Sequence, residues 1–200
     1  MKSKTIFDKY KDLFTYGNFF KESNPRIAYI IKLHAANSIH SEFKKDSSIL
    51  SDSNKDKLKS EILDINKIKI EGEKPSKNNI QEFEEFIENL FANVDEEDRE
   101  KIVTMKTAKS FKMVGELIEV FKFFDNIVPE IWDEKKKYCK FKAIDIAKSL
   151  KLGQVPKRGG PNEDLNKNKT EKKDEIENEL NEIIREQEYE KKVINGKFFI

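Results

Sequence analysis

Apolar residues recur every three or four positions along most of this chain, a spacing that places them on one face of an α-helix. Glycine and proline are scarce, at seven and five residues, and they interrupt the pattern where helices are expected to end. The pattern predicts six helices, at about residues 3–21, 24–43, 55–70, 79–94, 97–124 and 130–151. No segment shows the alternation of apolar and polar residues that is typical of a strand. The sequence therefore predicts an all-α fold.

A polar linker divides the predicted helices into two groups of three. Residues 72–79, GEKPSKNN, combine glycine, proline and asparagine, which favour turns and loops. We therefore predict a first three-helix module at residues 1–72 and a second at 78–153. The last helix is expected to stop at Gly153, with Pro156 beyond it.

The last part of the chain differs from the two modules. Residues 154–200 are dominated by charged and polar side chains, and Ile176, Leu180 and Ile183 recur at helical spacing. Three such residues give too little apolar surface for a helix that is stable on its own. We predict a polar tail that is disordered or forms a charged helix.

Charge composition narrows the function classes. The chain has 39 basic and 38 acidic residues, a formal net charge of +1, and so lacks the positive field expected of a dedicated nucleic-acid-binding protein. The basic segment DEKKKYCKFK keeps an RNA-binding helical protein as an alternative. A single cysteine, the lack of a signal-peptide core and the lack of a long apolar stretch lead us to expect a cytosolic protein.

Candidate catalytic or metal-binding residues are few. His34 and His40 are the only histidines, and no zinc-ligand spacing surrounds them. Cys139 has lysines nearby but no histidine close in sequence that would act as its base. We therefore expect no enzyme activity, metal or cofactor, and interpret both histidines as ordinary polar positions on a helix.

The sixth predicted helix has two apolar faces. One narrow stripe contains Cys139, Ala143, Ile146 and Leu150. Small residues in this stripe allow another helix to approach closely, so we predict that Cys139 is a core packing residue. The opposite side carries Tyr138, Phe141 and Ile144. A helix in a three-helix bundle needs only one apolar stripe, so this second face either covers a neighbouring segment or receives a partner.

The third predicted helix shows a smaller version of the same feature. Leu58, Ile62 and Ile65 form its predicted core stripe, whereas Leu63 lies off that stripe, aligned with Ile70 and next to an acidic residue. An apolar residue beside an acid suits a groove that accepts an amphipathic helix with leucines and basic groups. Single exposed leucines are also common on proteins without a binding role.

Three segments carry motifs that occur together, in this order, in one family. The motif positions are Asn24, Pro25, Ala28 and Tyr29 in NPRIAYIIKLHAANSI, Asp98, Arg99, Lys109, Ser110 and Phe111 in DEEDREKIVTMKTAKSFKMVGELIEVF, and Lys137, Tyr138, Lys142, Ala143 and Ile146 in KKYCKFKAIDIAKSLKLGQVP. Together they resemble the Vta-one/LIP-five family, the ESCRT-pathway cofactor of the vacuolar-protein-sorting AAA ATPase. The resemblance covers about residues 5–160.

The resemblance implies a tandem MIT domain, a pair of helical modules that capture the C-terminal tails of ESCRT-III subunits. By the family's pattern Leu63 and Asp64 fall in the tail-binding groove of the first module, where Asp64 or Glu61 is expected to pair with basic tail residues. Phe141 falls where the second module meets the ESCRT-III subunit of the Vps-sixty/CHMP-five type. The expected partner-binding residues are Leu63, Asp64, Glu61 and Ile70 in the first module and Phe141, Tyr138 and Ile144 in the second.

The function implied by the resemblance is that of a non-enzymatic adaptor. Such a protein binds ESCRT-III tails and regulates the AAA ATPase in multivesicular body formation and endosomal sorting, and its partners recruit it from the cytoplasm to endosomal membranes. Residues 161–200 do not match the ATPase-binding domain of the family. The ATPase is therefore expected as a partner that the chain contacts either directly or through other proteins. A structural helical scaffold without ESCRT ties is a further alternative.

Overall fold

The computed structural model describes residues 5–158, and every regular element within that range is helical. The α-helices are α1 (Ile6–Phe20), α2 (Pro25–Lys45), α3 (Asp52–Lys67), α4 (Ile80–Glu100), α5 (Met105–Leu117), α6 (Lys122–Asp125) and α7 (Glu130–Lys151). Short 3₁₀ turns lie at Ser47–Ile49, Lys77–Asn79 and Ile118–Phe121. The predicted all-α fold is confirmed. The tail prediction for Ile176, Leu180 and Ile183 falls outside the described residues.

The chain divides into two compact units, each built from separate stretches of sequence. Among the described residues, the first unit takes in residues 5–88 together with Glu116–Pro129, and the second takes in Asn89–Gly115 and residues 130–158. Helix α4 belongs to both units, and its first part lies in the first unit. There Phe83 is fully buried, and its ring centroid lies 5.2 Å from that of Phe121. This division does not fall at the 72–79 linker, and the two separate three-helix modules stay a prediction.

In the first unit, helix α1 packs closely against α2. A Cβ atom on Gly17 would overlap the side chain of Lys32 and would lie 3.4 Å from the carbonyl oxygen of Ala28. Ala28, Ile31 and Ala35, which share one face of α2, are all fully buried. The missing side chain of Gly17 therefore permits the short distance between α1 and α2 and leaves room for the buried stem of Lys32.

In the second unit, the narrow stripe of α7 forms part of the core. Cys139, Ala143 and Ile146 are fully buried, while Leu150 is half-buried. A Cβ atom on Gly115 of α5 would lie only 3.2 Å from Cβ of Cys139, so the two helices approach closely at this point. Burial raises the pKa of the Cys139 thiol and so disfavours the reactive thiolate. The prediction that Cys139 packs in the core is confirmed.

The predicted single helix at 97–124 is wrong, because the end of α4, α5, a 3₁₀ turn and α6 occupy that stretch. Helix α4 continues to Glu100, and α5 starts after Thr104. The Thr104 N–H donates to Oγ1 of Thr107 at 3.0 Å, and the Lys106 N–H donates to Oγ1 of Thr104 at 3.2 Å. These bonds satisfy free N–H groups at the start of α5, as an N-cap does. A threonine followed three residues later by a second hydroxyl was the sequence signal for this break.

The buried His34 predicts an acid-sensitive fold. It is 7% exposed, and burial, followed by the positive charge of Lys122, lowers its pKa from 6.5 to about 4. The neutral imidazole is thus favoured in the folded chain. The contribution of His34 to the free energy of unfolding is therefore fully present above pH 6.5 and is lost as the pH falls towards 4. The difference between the two pKa values corresponds to a loss of about 3 kcal/mol.

This loss can be measured by urea unfolding between pH 4 and pH 7. His34→Leu should remove most of the loss between pH 6.5 and pH 4, whereas His40→Leu, at an exposed position of the same helix, should leave it unchanged. An identical pH profile for the wild type and His34→Leu would contradict the prediction.

Candidate partner-binding surfaces

Helix α3 presents two adjacent apolar side chains to solvent. Leu63 is 60% exposed and Ile62 is 43% exposed, whereas Ile65 and Ile68 are buried in the first unit. The position of Leu63 away from the core agrees with the sequence interpretation. The assignment of Ile62 to the core stripe is wrong, because α3 contacts the core through the face that carries Ile65. We refer to Ile62 and Leu63 as the α3 apolar pair.

The predicted alignment of Leu63 with Ile70 is wrong, because α3 is shorter than expected. The helix ends at Lys67, and Ile68 has the extended backbone angles φ −64° and ψ 118°. Ile70 therefore follows the helix instead of continuing its surface, and its side chain is half-buried. The apolar surface of α3 is limited to the α3 apolar pair.

A buried ammonium group lies behind this surface. Lys32 is fully buried, and its Nζ lies 2.7 Å from Oδ1 of Asn18, 2.9 Å from Oε2 of Glu61 and in contact with Asp64. Nζ of Lys21 lies 2.5 Å from the other oxygen of Asp64. We refer to these five residues as the Lys32 cluster. They connect α1 and the residue that follows its C-terminal end to α2 and α3. Burial of a charge is tolerated here because carboxylates and an amide surround it.

The electrostatics of the Lys32 cluster bear on the predicted role of Glu61 and Asp64. Hydrogen bonds from Lys21, and then from Lys32, hold the pKa of Asp64 below its ordinary value. Both carboxylates already have cationic partners within the first unit. Pairing with basic residues of a ligand would therefore require these carboxylates to release or share Lys21 or Lys32.

On α7, the structure divides the predicted second face. Phe141 and Ile144 are half-buried, so part of each side chain remains accessible. Tyr138 is only 2% exposed, and its ring lies near Phe91 and Phe111. The assignment of Tyr138 to an accessible surface is therefore wrong. The predicted patch is reduced to Phe141 and Ile144.

The hydroxyl of Tyr138 explains how a tyrosine is accommodated in this core. It donates a hydrogen bond to Oδ1 of Asp95 at 3.0 Å, and Arg99 Nε donates to Oδ2 of the same carboxylate at 2.7 Å. Burial and the neighbouring negative charge of Asp95 raise the pKa of Tyr138. The tyrosine is thus held as a neutral hydrogen-bond donor.

A second buried ion pair lies in the second unit. Asp98 is fully buried, Lys142 is almost so, and Nζ of Lys142 lies 2.8 Å from Oδ2 of Asp98. Neither Asp98 oxygen accepts a well-oriented hydrogen bond from the described part of the chain, so charge attraction to Lys142 is what stabilises the carboxylate. The sequence indicated both residues as motif positions but not their pairing. The available signal was a lysine placed among the buried positions of α7.

The segment after α7 folds back onto the end of α4. Lys142 Nζ also donates to the carbonyl oxygen of Lys157 at 2.5 Å. The guanidinium of Arg158 donates to the carbonyl oxygens of Arg99 at 2.5 Å and Lys101 at 3.0 Å. Arg158 thus satisfies carbonyl groups that the end of a helix leaves free. The ion pair between Asp98 and Lys142 also brings together two motif segments that are distant in sequence.

Comparison with known proteins shows which family the chain belongs to. The family model described as "Vta1 like" matches residues 11–152, which is most of the chain. The chain belongs to the Vta1-like family. This is the family that the sequence motifs indicated, so the resemblance is confirmed. The Asp98–Lys142 pair joins two of the three motif segments of this Vta1-like chain.

A curated relative supports the same conclusion over a shorter region. The Vta1-like chain is 36% identical over 81 residues to an Arabidopsis thaliana protein named as a homolog of mammalian LYST-interacting protein 5. The match covers 40% of this chain and 19% of the relative, so the chain spans about a fifth of the length of that protein. No solved structure matches the chain.

Within residues 5–158 of this Vta1-like protein, no helix is both long and apolar enough to cross a membrane. No group of three or more histidine, cysteine, aspartate or glutamate side chains is arranged there to hold a metal ion.

Proposed function

We propose that this Vta1-like chain is a non-enzymatic adaptor that binds the C-terminal tails of ESCRT-III subunits. The observation that carries this proposal is the α3 apolar pair, which exposes Leu63 on a helix anchored from behind by the Lys32 cluster. Membership of the Vta1-like family supports the link to ESCRT-III. Through these contacts the protein regulates the vacuolar-protein-sorting AAA ATPase, directly or indirectly, in endosomal sorting and multivesicular body formation.

The proposed binding mode is a helix that lies against the surface of another helix. An amphipathic tail helix would place a leucine against Leu63 and Ile62 and remove both side chains from water. The Lys32 cluster fixes α3 to α1 and α2 through Glu61 and Asp64. Because α3 is held in place, binding costs conformational entropy of the ligand but little conformational entropy of α3 itself. Glu61 and Asp64 then support the surface that holds Leu63.

The second unit offers a separate surface at Phe141 and Ile144. Both side chains are partly accessible on α7, while the opposite stripe of this helix is buried around Cys139. We propose that this surface binds an ESCRT-III subunit of the Vps-sixty/CHMP-five type. Such contacts would bring the adaptor from the cytoplasm to the endosomal membrane through its partners.

The contacts of the basic segment disfavour the RNA-binding alternative. Nζ of Lys136 and Nζ of Lys137 lie 2.5 Å and 2.7 Å from the carboxylate of Asp133. Lys142 is buried against Asp98. Three lysines of this segment therefore have acidic partners within the second unit, and fewer are free to neutralise phosphates. A pull-down that lacks ESCRT-III subunits would favour the remaining alternative, a helical scaffold.

Leu63→Asp should weaken binding of ESCRT-III tail peptides to the first unit by at least about tenfold. The change places a charge in the proposed apolar contact, and loss of a central anchor costs about 2 kcal/mol or more. The helical circular dichroism signal should remain, because Leu63 is exposed. Titration of labelled tail peptides measures the effect.

The matched control is Ile102→Asp, which changes an apolar residue that is 85% exposed and lies in the second unit. It should leave the same titration unchanged. Tail binding that tolerates Leu63→Asp would contradict the proposed site, and unfolding of Leu63→Asp would contradict its assignment to the surface.

Phe141→Ala should weaken binding of the Vps-sixty/CHMP-five-type subunit by at least roughly tenfold, because a partly buried aromatic anchor contributes about 2 kcal/mol or more. Tails held by Leu63 should bind as before. Cys139→Phe is the comparison, since overpacking against Gly115 costs stability. Thermal melts and titrations separate the two effects, and early melting of Phe141→Ala but not of Cys139→Phe would show that the faces of α7 are reversed.

A further inference from the structure

We propose that the ligand of the α3 apolar pair is acidic, with carboxylates about one helical turn before and after its apolar anchor. The inference rests on the proposed function and names the charge of the partner at the same surface. It reverses the charge expected from the sequence, where Asp64 or Glu61 was to pair with basic groups. The charges that remain exposed around Leu63 carry this reversal.

The acidic residues next to Leu63 are already neutralised from within the first unit. Glu61 and Asp64 contribute two negative charges, and Lys32 and Lys21 contribute two positive charges at distances that define ion pairs. Lys32 is fully buried and cannot turn towards solvent without leaving the core. A basic ligand would therefore gain little attraction from these carboxylates unless it displaced a cation that the fold needs.

The exposed neighbours of Leu63 are basic or neutral. Residues four positions apart lie next to each other on a helix, and those positions on either side of Leu63 are Lys59 and Lys67, both exposed. Ser60 and Asn66, at three positions on either side, are exposed and uncharged. The apolar pair therefore lies between two exposed lysines, while the carboxylates within one turn of Leu63, those of Glu61 and Asp64, are half-buried and already paired with Lys32 and Lys21.

Both lysines are available to a ligand. Lys59 pairs with Asp56 at 3.2 Å, but both side chains are about three-quarters exposed, and such surface pairs are weak enough to exchange. Lys67 has no ion pair within residues 5–158. The two lysines are eight residues apart, which corresponds to about 12 Å along a helix. A ligand helix with leucines between two acidic positions about two turns apart would match this spacing.

The test uses three synthetic amphipathic helical peptides with identical leucines and with Glu, Gln or Lys at the two flanking positions. Each is titrated into the full chain at up to millimolar concentration, with NMR shifts and fluorescence anisotropy as readouts. The Glu peptide should bind at least about threefold more tightly than the Gln peptide, and the Lys peptide more weakly than both. Raising the salt concentration should reduce these differences.

Charge reversal of the protein supplies the matched comparison. Lys59→Glu/Lys67→Glu should invert the order, so that the Lys peptide binds best. Lys44→Glu/Lys45→Glu changes the net charge equally, at exposed positions at the end of α2, and should keep the wild-type order. Circular dichroism checks that each variant is folded.

The outcomes separate this inference from the proposed function. Leu63-dependent binding that favours the Lys peptide, or that is equal for all three peptides, overturns the inference and leaves the proposed function intact. The absence of any peptide-induced shift at millimolar concentration also overturns the inference, while the titration of ESCRT-III tails described above decides the proposed function. A charge order that Lys44→Glu/Lys45→Glu also inverts would show a net-charge effect and overturn the inference.

Discussion

Asp98→Ala is expected to lower the free energy of unfolding by about 3–5 kcal/mol, the usual cost of removing one partner of a buried ion pair. The substitution leaves the ammonium of Lys142, which is almost fully buried, without the carboxylate 2.8 Å away. The carbonyl oxygen of Lys157 would remain as a hydrogen-bond acceptor, but it carries no full negative charge. Urea unfolding followed by circular dichroism measures the loss.

Two further variants make this expectation specific. Asp98→Leu/Lys142→Met removes both charges and should recover much of the stability, because apolar residues of similar size often replace a buried pair without loss. Glu96→Ala removes one partner of the exposed pair with Lys101, whose N···O distance is 3.5 Å, and should cost no more than about 1 kcal/mol. Equal stability of Asp98→Ala and Glu96→Ala would show that burial does not raise the cost of losing the carboxylate.

Glu61→Ala/Asp64→Ala is expected to lower the free energy of unfolding of the first unit by about 3 kcal/mol or more. Lys32, fully buried, would keep only the amide oxygen of Asn18 at 2.7 Å. The two carboxylates are partly accessible, so water could replace part of their interaction with Lys32 and reduce the loss of unfolding free energy. Chemical unfolding at pH 7, with Leu63→Asp as the neighbouring surface variant, measures the difference.

Removal of the lysine in the same background tests the cause. Lys32→Met added to Glu61→Ala/Asp64→Ala should restore stability, because no unpaired ammonium would remain. If the triple variant is no more stable than the double variant, the buried charge is not the cause. The result also guides binding experiments, since a lost interaction in an Asp64 variant would reflect a weakened fold as well as a missing contact.

The sequence predicted those features that depend on the geometry of a single helix. The spacing of Cys139, Ala143 and Ile146 placed them on one stripe of α7, and all three are buried. Gly153 was expected to end this helix, and it adopts a positive φ of 67° two residues after Lys151. Local periodicity and backbone preference are enough for such predictions because they require no knowledge of neighbouring segments.

Helix boundaries were less accurate where two signals competed. The sequence predicted one helix over 97–124, and the apolar residues Ile102 and Val103 lie within that stretch, between Glu100 and Met105. The hydrogen bonds of Thr104 instead begin a new helix there. A polar cap can interrupt an apolar pattern without changing its spacing.

By itself the sequence determined the all-helical class, the family and the core stripe of α7 around Cys139, because these follow from residue type and from spacing along one helix. Only the tertiary structure decided which stripe is covered, and so placed Tyr138 in the core and left Ile62 exposed. It also paired Asp98 with Lys142 and Glu61 with Lys32. Partners that are distant in the chain are brought together by helix packing, and the charge left for a ligand depends on which carboxylates the fold itself has already neutralised.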